Sequence, residues 1–110
     1  MYLAQQYRIS QVPQDREGGP YDVVIVGYQY ELEDSQGHEI LAYHWHPEGR
    51  SQVTRPHLHL GYGARLGRSE LQKAHLPTGH VSMGEVLRCL IDHFGVATLR
   101  KDWSKILDQT

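Results

Sequence analysis

Two pairs of histidines, each separated by one residue, constrain this chain more than any other feature of its sequence. The pairs are His44-Trp45-His46 and His57-Leu58-His59. Each lies in a stretch with the period of a β-strand, in which side chains two residues apart point to the same face of the sheet. Two such strands side by side would gather four imidazoles on one surface. The sequence therefore predicts a sheet with a histidine-lined face.

The length and composition are typical of a globular protein. We predict that residues 1–110 form a single α+β domain, because this length suffices for one core. The longest purely apolar run, residues 23–26, is too short to span a membrane, and no charged-then-apolar leader opens the chain. The single cysteine, Cys89, allows no internal disulfide. We therefore expect a cytoplasmic protein without a membrane partner.

Hydrophobic periodicity predicts strands first and helices last. The strands, which span about 3–76, are predicted over 3–12, 21–33, 38–46 and 57–62, with a short fifth strand over 71–76. Helical spacing predicts helices over about 83–94 and 99–108. This order indicates an α+β fold, in which an antiparallel four- to five-stranded meander sheet carries two C-terminal helices packed on one face.

Local signals mark where these elements begin and end. Residues 13–20 have the Pro and Gly content of a loop, and residues 34–37 that of a hairpin turn. Ser82 followed by Glu85 is a capping box at the start of the first helix. Gly95 is suited to its C-terminal end.

Strict alternation assigns the side chains of the strands to two faces. On the second strand it groups the apolar residues Val24, Val26, Tyr28, Tyr30 and Leu32. On the third it separates Leu41, Tyr43 and Trp45 from Ile40, Ala42, His44 and His46. The helices need an apolar partner, so the aromatic face should turn toward them and the histidines should lie on the open face. We expect His44 opposite His59 and His46 opposite His57 in antiparallel register.

Positive charge is concentrated beside the second histidine pair. Residues 1–49 hold two basic and eight acidic side chains, whereas residues 50–80 hold five basic side chains and one acidic one. A basic segment that also contains imidazoles suits an anionic partner such as RNA.

General acid–base cleavage of a phosphodiester is the first of three interpretations of the histidines, and it needs no cofactor. One imidazole would take the proton from a 2′-hydroxyl while a second, protonated one gives a proton to the departing oxygen. His57 and His59 are the leading catalytic candidates because they adjoin the basic segment, and His44 and His46 lie beside them. The candidates for binding the phosphate are Arg55, Lys73, Arg68 and His75, since positive charge would stabilise the transition state.

The other two interpretations are a metal site and an interaction surface. Zn²⁺ or Fe²⁺ would be held by imidazoles of His44, His46, His57 and His59. Glu31 and Glu33 fall on the face opposite Tyr30, where either could add a carboxylate ligand. In the third interpretation the exposed imidazoles and aromatic residues line a protein-binding or homodimer surface without chemistry. A homodimer is also favoured by the exposed edge of the predicted sheet.

Several short segments resemble a group of small, mostly uncharacterised bacterial proteins that is itself similar to the TumE-type toxins of toxin–antitoxin modules. The resemblance spans about residues 21–107 and is carried by Tyr43-His44-Trp45-His46, Pro56-His57-Leu58-His59, His75-Leu76-Pro77-Thr78-Gly79 and Asp102-Trp103. It implies a small intracellular α+β protein that acts on RNA or translation and has a cognate antitoxin as partner. It assigns no catalytic residues, so the roles given to the histidines come from spacing and chemistry alone.

Overall fold

A computed structural model describes residues 1–12 and 18–109 and shows an α+β architecture. Five strands form one antiparallel sheet in chain order: β1 (Tyr2–Gln11), β2 (Tyr21–Glu33), β3 (Glu39–Trp45), β4 (His57–Leu60) and β5 (Leu76–Pro77). The helices are α1 (Ser69–Lys73), α2 (Met83–Phe94) and α3 (Trp103–Leu107), and a 3-10 turn covers Tyr62–Ala64. The predicted meander with two C-terminal helices is confirmed. Most of the loop predicted over residues 13–20 lies outside the described residues.

The hairpin between β2 and β3 is closed by the side chain of Asp34. Its Oδ1 accepts hydrogen bonds from the backbone N–H groups of Gln36 and His38, each at 2.9 Å. These bonds lower the pKa of the Asp34 carboxyl, the one from His38 most strongly. Gly37 has φ +81°, a left-handed conformation that suits glycine. The predicted turn forms because Asp34 can accept both hydrogen bonds and Gly37 can adopt the left-handed conformation.

Helix α2 begins and ends where its sequence predicts. The Ser82 hydroxyl accepts from the Glu85 backbone N–H at 3.0 Å, and the Glu85 carboxylate accepts from the Ser82 N–H at 2.7 Å. Gly95 ends the helix in a left-handed conformation with φ +69°.

The core lies between α2 and the aromatic face of the sheet. Tyr28 and Tyr30 stack with ring centroids 4.7 Å apart and pack against Val86 and Leu90 of α2. The partly buried hydrophobic residues around them are Leu3, Leu32, Tyr43, Trp45, Val81, Met83 and Val96. The aromatic side of the sheet therefore faces the helices, as alternation predicts.

Helix α3 is held to α2 by the guanidinium group of Arg88. It donates to the hydroxyl of Ser104 at 2.9 Å and to the carbonyl of Ser104 at 3.1 Å, and it lies 5.6 Å from the centre of the Trp103 ring. The prediction that this helix starts near Leu99 was wrong, because the helix begins only after Asp102. Leu99 itself is fully exposed.

The segment predicted as a fifth strand over residues 71–76 begins in a helix and reaches the sheet only at its last residue. Ser69–Lys73 forms α1, and only Leu76–Pro77 pairs with β4. The sequence Glu70-Leu71-Gln72-Lys73 consists of good helix formers with no β-branched residue, which explains the helix. Pro77 lacks a backbone N–H and so limits the pairing of β5.

Two β-bulges change which side chains share a face. In the pairing of β1 with β2 the register shifts at Val26, so that Ile25, not Val24, continues the face of Tyr28. In the pairing of β2 with β3 it shifts at Ile40, so that Glu39 lies opposite Glu33. The face prediction for Val24 was wrong because an extra residue inverts the alternation beyond it. The prediction for Val26, the extra residue itself, was also wrong, since Val26 lines a pocket with Gln6 and His46.

No helix within residues 1–12 and 18–109 is long and apolar enough to cross a membrane.

The two stacked tyrosines give a matched test of the core. The Tyr28 hydroxyl accepts from the Val81 backbone N–H at 3.0 Å, whereas the Tyr30 hydroxyl accepts from the Gln5 side chain at 2.8 Å. Tyr28→Phe leaves a backbone donor unpaired and should cost about 1–3 kcal/mol in the free energy of unfolding. Tyr30→Phe should cost less, because the Gln5 amide can turn to water. Urea denaturation measures both, and an equal or larger loss for Tyr30→Phe would contradict this account.

Candidate metal centre

Four imidazoles meet on the face of the sheet opposite α2. His44 comes from β3, His57 and His59 come from β4, and His75 directly precedes β5. The five ring contacts among them have centroid distances between 4.5 and 5.7 Å. We call these four residues the histidine cluster. The structure thus brings together three of the four predicted catalytic histidines and His75, which was predicted to bind the phosphate.

The register of β3 and β4 differs from the predicted one by two residues. His44 lies opposite His57, and Ala42 lies opposite His59. The predicted pairings of His44 with His59 and of His46 with His57 were therefore both wrong. A shift of two keeps every side chain on its face, which is why the cluster forms despite the error. Ala42 is completely buried, and its small side chain leaves space between Glu31 and His59 on the neighbouring strands.

One ring nitrogen of His57 is fixed by the backbone. Its Nδ1 lies 2.8 Å from the carbonyl oxygen of Arg55, and this oxygen can only accept, so Nδ1 carries the hydrogen. In the neutral imidazole the lone pair is therefore on Nε2. That atom lies 3.1 Å from Nε2 of His59. A carbonyl that orients the far nitrogen is the usual outer-shell partner of a metal-binding histidine.

His44 has a buried nitrogen without a hydrogen bond. Among the described residues, none forms a hydrogen bond with its Nε2. The nearest carboxylate oxygen, Oε1 of Glu31, is 3.7 Å away. Burial lowers the pKa of His44, as does His57, whereas Glu31 opposes the shift. The ring is thus held neutral with one nitrogen unsatisfied, a costly state for a buried polar atom.

His59 is also kept neutral. Burial, followed by the neighbouring His44, His75 and His57, lowers its pKa from 6.5 to about 4. Near neutral pH this imidazole carries a free lone pair, as a metal ligand requires.

The first three members of the cluster have the spacing of a metal site. One ring nitrogen each from His44, His57 and His59 lies within 4.8 Å of the other two. Ligands about 2.0 Å from a tetrahedral Zn²⁺ are roughly 3.3 Å apart, so small rotations of the rings would complete the geometry.

Two carboxylates lie next to His44. Glu31 and Glu39 each offer an oxygen, and together with a nitrogen of His44 these atoms lie within 4.8 Å of one another. Burial raises the pKa of Glu39, and so do Glu31 and Glu33. The Gln29 side chain donates a hydrogen bond to Glu31. Alternation had placed Glu31 on this face, but Glu39 reaches it through the bulge at Ile40 and was missed.

The other predicted site residues lie outside this group. His46 follows the end of β3, with its ring 5.8 Å from that of His44. The side chain of Arg55 is exposed, and Arg68 forms an ion pair with Glu70 at 2.7 Å. Lys73 is exposed at the end of α1. None of these four has a hydrogen bond or ion pair to a cluster imidazole in the described part of the chain, except for the backbone carbonyl of Arg55.

Comparison with family models, with curated proteins and with solved structures finds no match to this chain.

Acidification should destabilise the metal-free protein through His59. The pKa of His59 is about 4 when folded and 6.5 in its ordinary state, so the unfolded chain binds more protons between these values. The contribution of the neutral His59 imidazole to the free energy of unfolding is therefore complete above about pH 6.5 and is lost as the pH falls through about 4. The melting temperature, measured across this interval, should fall less steeply for His59→Asn than for wild type. His93→Asn, a change at an exposed histidine, should keep the wild-type slope; identical slopes for all three proteins would contradict the assignment.

Proposed function

We propose that this protein binds one divalent transition-metal ion through His44, His57 and His59. The observation that carries the proposal is the convergence of three imidazole nitrogens, one of them buried without a hydrogen bond. Zn²⁺ is the ion that suits three neutral imidazoles best, and Fe²⁺ is the alternative if a carboxylate joins them.

The charge around the cluster supports a cation. Glu31 lies close to Glu39, and its charge adds to the effect of burial in raising the pKa of the Glu39 carboxyl. A divalent ion beside His44 would offset this repulsion and would supply the missing partner of the buried nitrogen.

Three protein nitrogens leave a fourth position on a tetrahedral ion. Glu31, which is 3.7 Å from Nε2 of His44, is placed to occupy it or to hydrogen-bond a water molecule bound there. His75 is exposed and its ring contacts those of His57 and His59, so it stands between the site and solvent. An open fourth position is the property that separates reactive zinc sites from purely structural ones.

Metal titration of the chelator-treated protein tests the proposal. Isothermal titration calorimetry with Zn²⁺ should give one site per chain, and Co²⁺ should give the visible absorption of a four-coordinate ion. His57→Ala should weaken binding by more than about tenfold, which is the smallest effect expected even for an outer-shell partner. Zn²⁺ at a hundredfold excess over its Kd should stabilise the fold by about 2.7 kcal/mol.

Two matched variants define the ligand set. His93→Ala, far along α2, and His46→Ala, beside the cluster, should both retain Zn²⁺ affinity. A fall in affinity for His46→Ala equal to that for His57→Ala would restore the four-histidine set predicted from the sequence. No binding by the folded wild-type protein would refute a metal site.

Metal-independent cleavage of RNA is the second candidate function. It is supported by the exposed ring of His75, which lies 4.5 Å from that of the neutral His59 and gives a substrate access to two imidazoles. His59 would accept the proton of the 2′-hydroxyl and another cluster imidazole would protonate the leaving oxygen. The resemblance to TumE-type toxins supports the same proposal, with an antitoxin as partner in the cytoplasm. The contact of 3.1 Å between His57 and His59 leaves no room for a phosphate between them, which favours the metal site.

Cleavage of labelled total RNA in EDTA distinguishes the two candidates. If the protein is a metal-independent nuclease, the wild type and the His93→Ala variant should both cut RNA. The double variant His57→Ala/His59→Ala should be inactive, while circular dichroism shows that it is still folded. Absence of cleavage by folded wild-type protein would exclude this candidate and leave metal binding untouched.

A further inference from the structure

A cleft of about 450 Å³ opens between the β2–β3 turn, the segment that follows β4, and α1. It is lined by Gln36 and His38 from the turn, by Tyr62 and Arg65 from the segment after β4, and by Gln72 from α1. Its volume falls within the ~300–1,000 Å³ of small-molecule sites. No residue that lines it belongs to the histidine cluster, so the cleft is separate from the proposed metal site.

Close backbone packing joins two of the three walls of this cleft. A Cβ at Gly63 would lie 2.8 Å from the carbonyl oxygen of His38, and a Cβ at Gly61 would overlap the carbonyl of Glu39. Only glycine permits so close an approach. The backbone N–H of Gly61 also donates to the carbonyl of Ile40 at 3.0 Å. The main chain therefore holds the cleft open in the absence of a ligand.

Arg65 adopts a backbone conformation that its side chain disfavours. Its φ of +53° is left-handed, and within the described part of the chain it is the one residue other than glycine with a positive φ. A Cβ makes this conformation costly, and such strain is concentrated at functional sites. Glycine would remove the strain, as it does at Gly67 with φ +69°. The position therefore indicates a use for the arginine side chain.

The guanidinium group of Arg65 is available to a ligand. Among the described residues it forms no hydrogen bond or ion pair, whereas Arg68 pairs with Glu70 at 2.7 Å. A planar guanidinium matches the geometry of a phosphate group and can donate two parallel hydrogen bonds to it.

Tyr62 supplies an aromatic surface to the same cleft. The residue is 70% exposed. Its ring meets the imidazole of His38 edge to face, with centroids 5.1 Å apart, and this contact helps to position it. An exposed aromatic ring beside a positive charge is the arrangement that stacks nucleobases in proteins that bind single strands.

Asp34, the one acidic residue that lines the cleft, has partners for both carboxylate oxygens. Its Oδ1 accepts from two backbone N–H groups of the turn, and its Oδ2 lies 3.4 Å from Nδ1 of His38. A phosphate group would be repelled from this side of the cleft. It is therefore expected at Arg65, across from the turn.

We propose that this cleft binds a nucleotide, with the base stacked on Tyr62 and the phosphate paired with Arg65. The amide groups of Gln36 and Gln72, which can both donate and accept, are placed to hydrogen-bond the edge of the base. A free nucleotide and the end of a nucleic-acid strand present the same chemistry to the cleft. The inference depends neither on the metal site nor on RNA cleavage.

Isothermal titration calorimetry with AMP tests the cleft, and EDTA in the buffer prevents a metal ion from binding the phosphate. The wild type should bind AMP more tightly than it binds adenosine or ribose phosphate, because each of these lacks one of the two contacts. Tyr62→Ala should weaken AMP binding by at least about fivefold, the lower bound for the loss of base stacking. Tyr62→Phe keeps the ring and should retain the affinity. Equal affinities for AMP and ribose phosphate, or no AMP binding by the folded wild type, would overturn the proposal.

Arg65→Gly separates ligand binding from stability. The glycine relieves the left-handed strain, so the melting temperature should stay the same or rise. AMP binding should weaken by about tenfold or more, because hydrogen bonds to a charged group are lost. Arg100→Ala, which removes an exposed arginine near α3, should retain AMP affinity. Wild-type affinity in Arg65→Gly, or a lower melting temperature together with lost binding, would overturn the role of the guanidinium group.

A short oligodeoxyadenylate with a terminal phosphate distinguishes the two sources of the nucleotide. It lacks the 2′-hydroxyl and so cannot be cleaved through that group during the titration. Tighter binding of this strand than of AMP identifies the end of a nucleic-acid strand as the ligand. Weaker binding identifies a free nucleotide.

Discussion

The alternation of side chains along β3 divides the molecule into two chemically different halves. β3 is the middle strand of five, so both of its faces are central. Tyr43 and Trp45 contribute to the core beneath α2, while Ala42 and His44 lie among the imidazoles. The apolar core therefore stabilises the strand that positions the polar cluster, and the two halves share one backbone.

Features that depend on local sequence were largely predictable. The capping box at Ser82, the turn closed by Asp34 and the aromatic face of β2 each require only neighbouring residues. The bulges at Val26 and Ile40 were not predictable, because a bulge depends on how two strands fit together. The short helix α1 was missed because a run of five residues is too brief for a helical period.

The sequence predicted which face of the sheet carries the candidate site, but not which residues of that face come together. His44, His57 and His59 follow from the spacing of two residues, which survives a register error of two. Glu39 reaches the histidine face only because of the bulge at Ile40, and His46 lies outside the cluster because β3 ends before it. Neither position followed from the alternation of side chains in the sequence. The sequence alone favoured proton transfer on RNA and kept metal binding as the alternative. Our proposal reverses this order because of atomic detail, chiefly the nitrogen–nitrogen contact of His57 with His59.

The connection between β3 and β4, residues 46–56, should accept insertions and deletions in its first half but not in its second half, because of the carbonyl of Arg55. Surface connections between strands generally accept insertions and deletions. Here the last residues before β4 determine which nitrogen of His57 carries the hydrogen, since the carbonyl of Arg55 lies 2.8 Å from Nδ1. Length can therefore vary around Glu48 to Ser51, which are exposed, but an added residue between Arg55 and His57 would rotate the ring out of alignment. Related chains should differ in the first half of this loop and keep the second half constant in length.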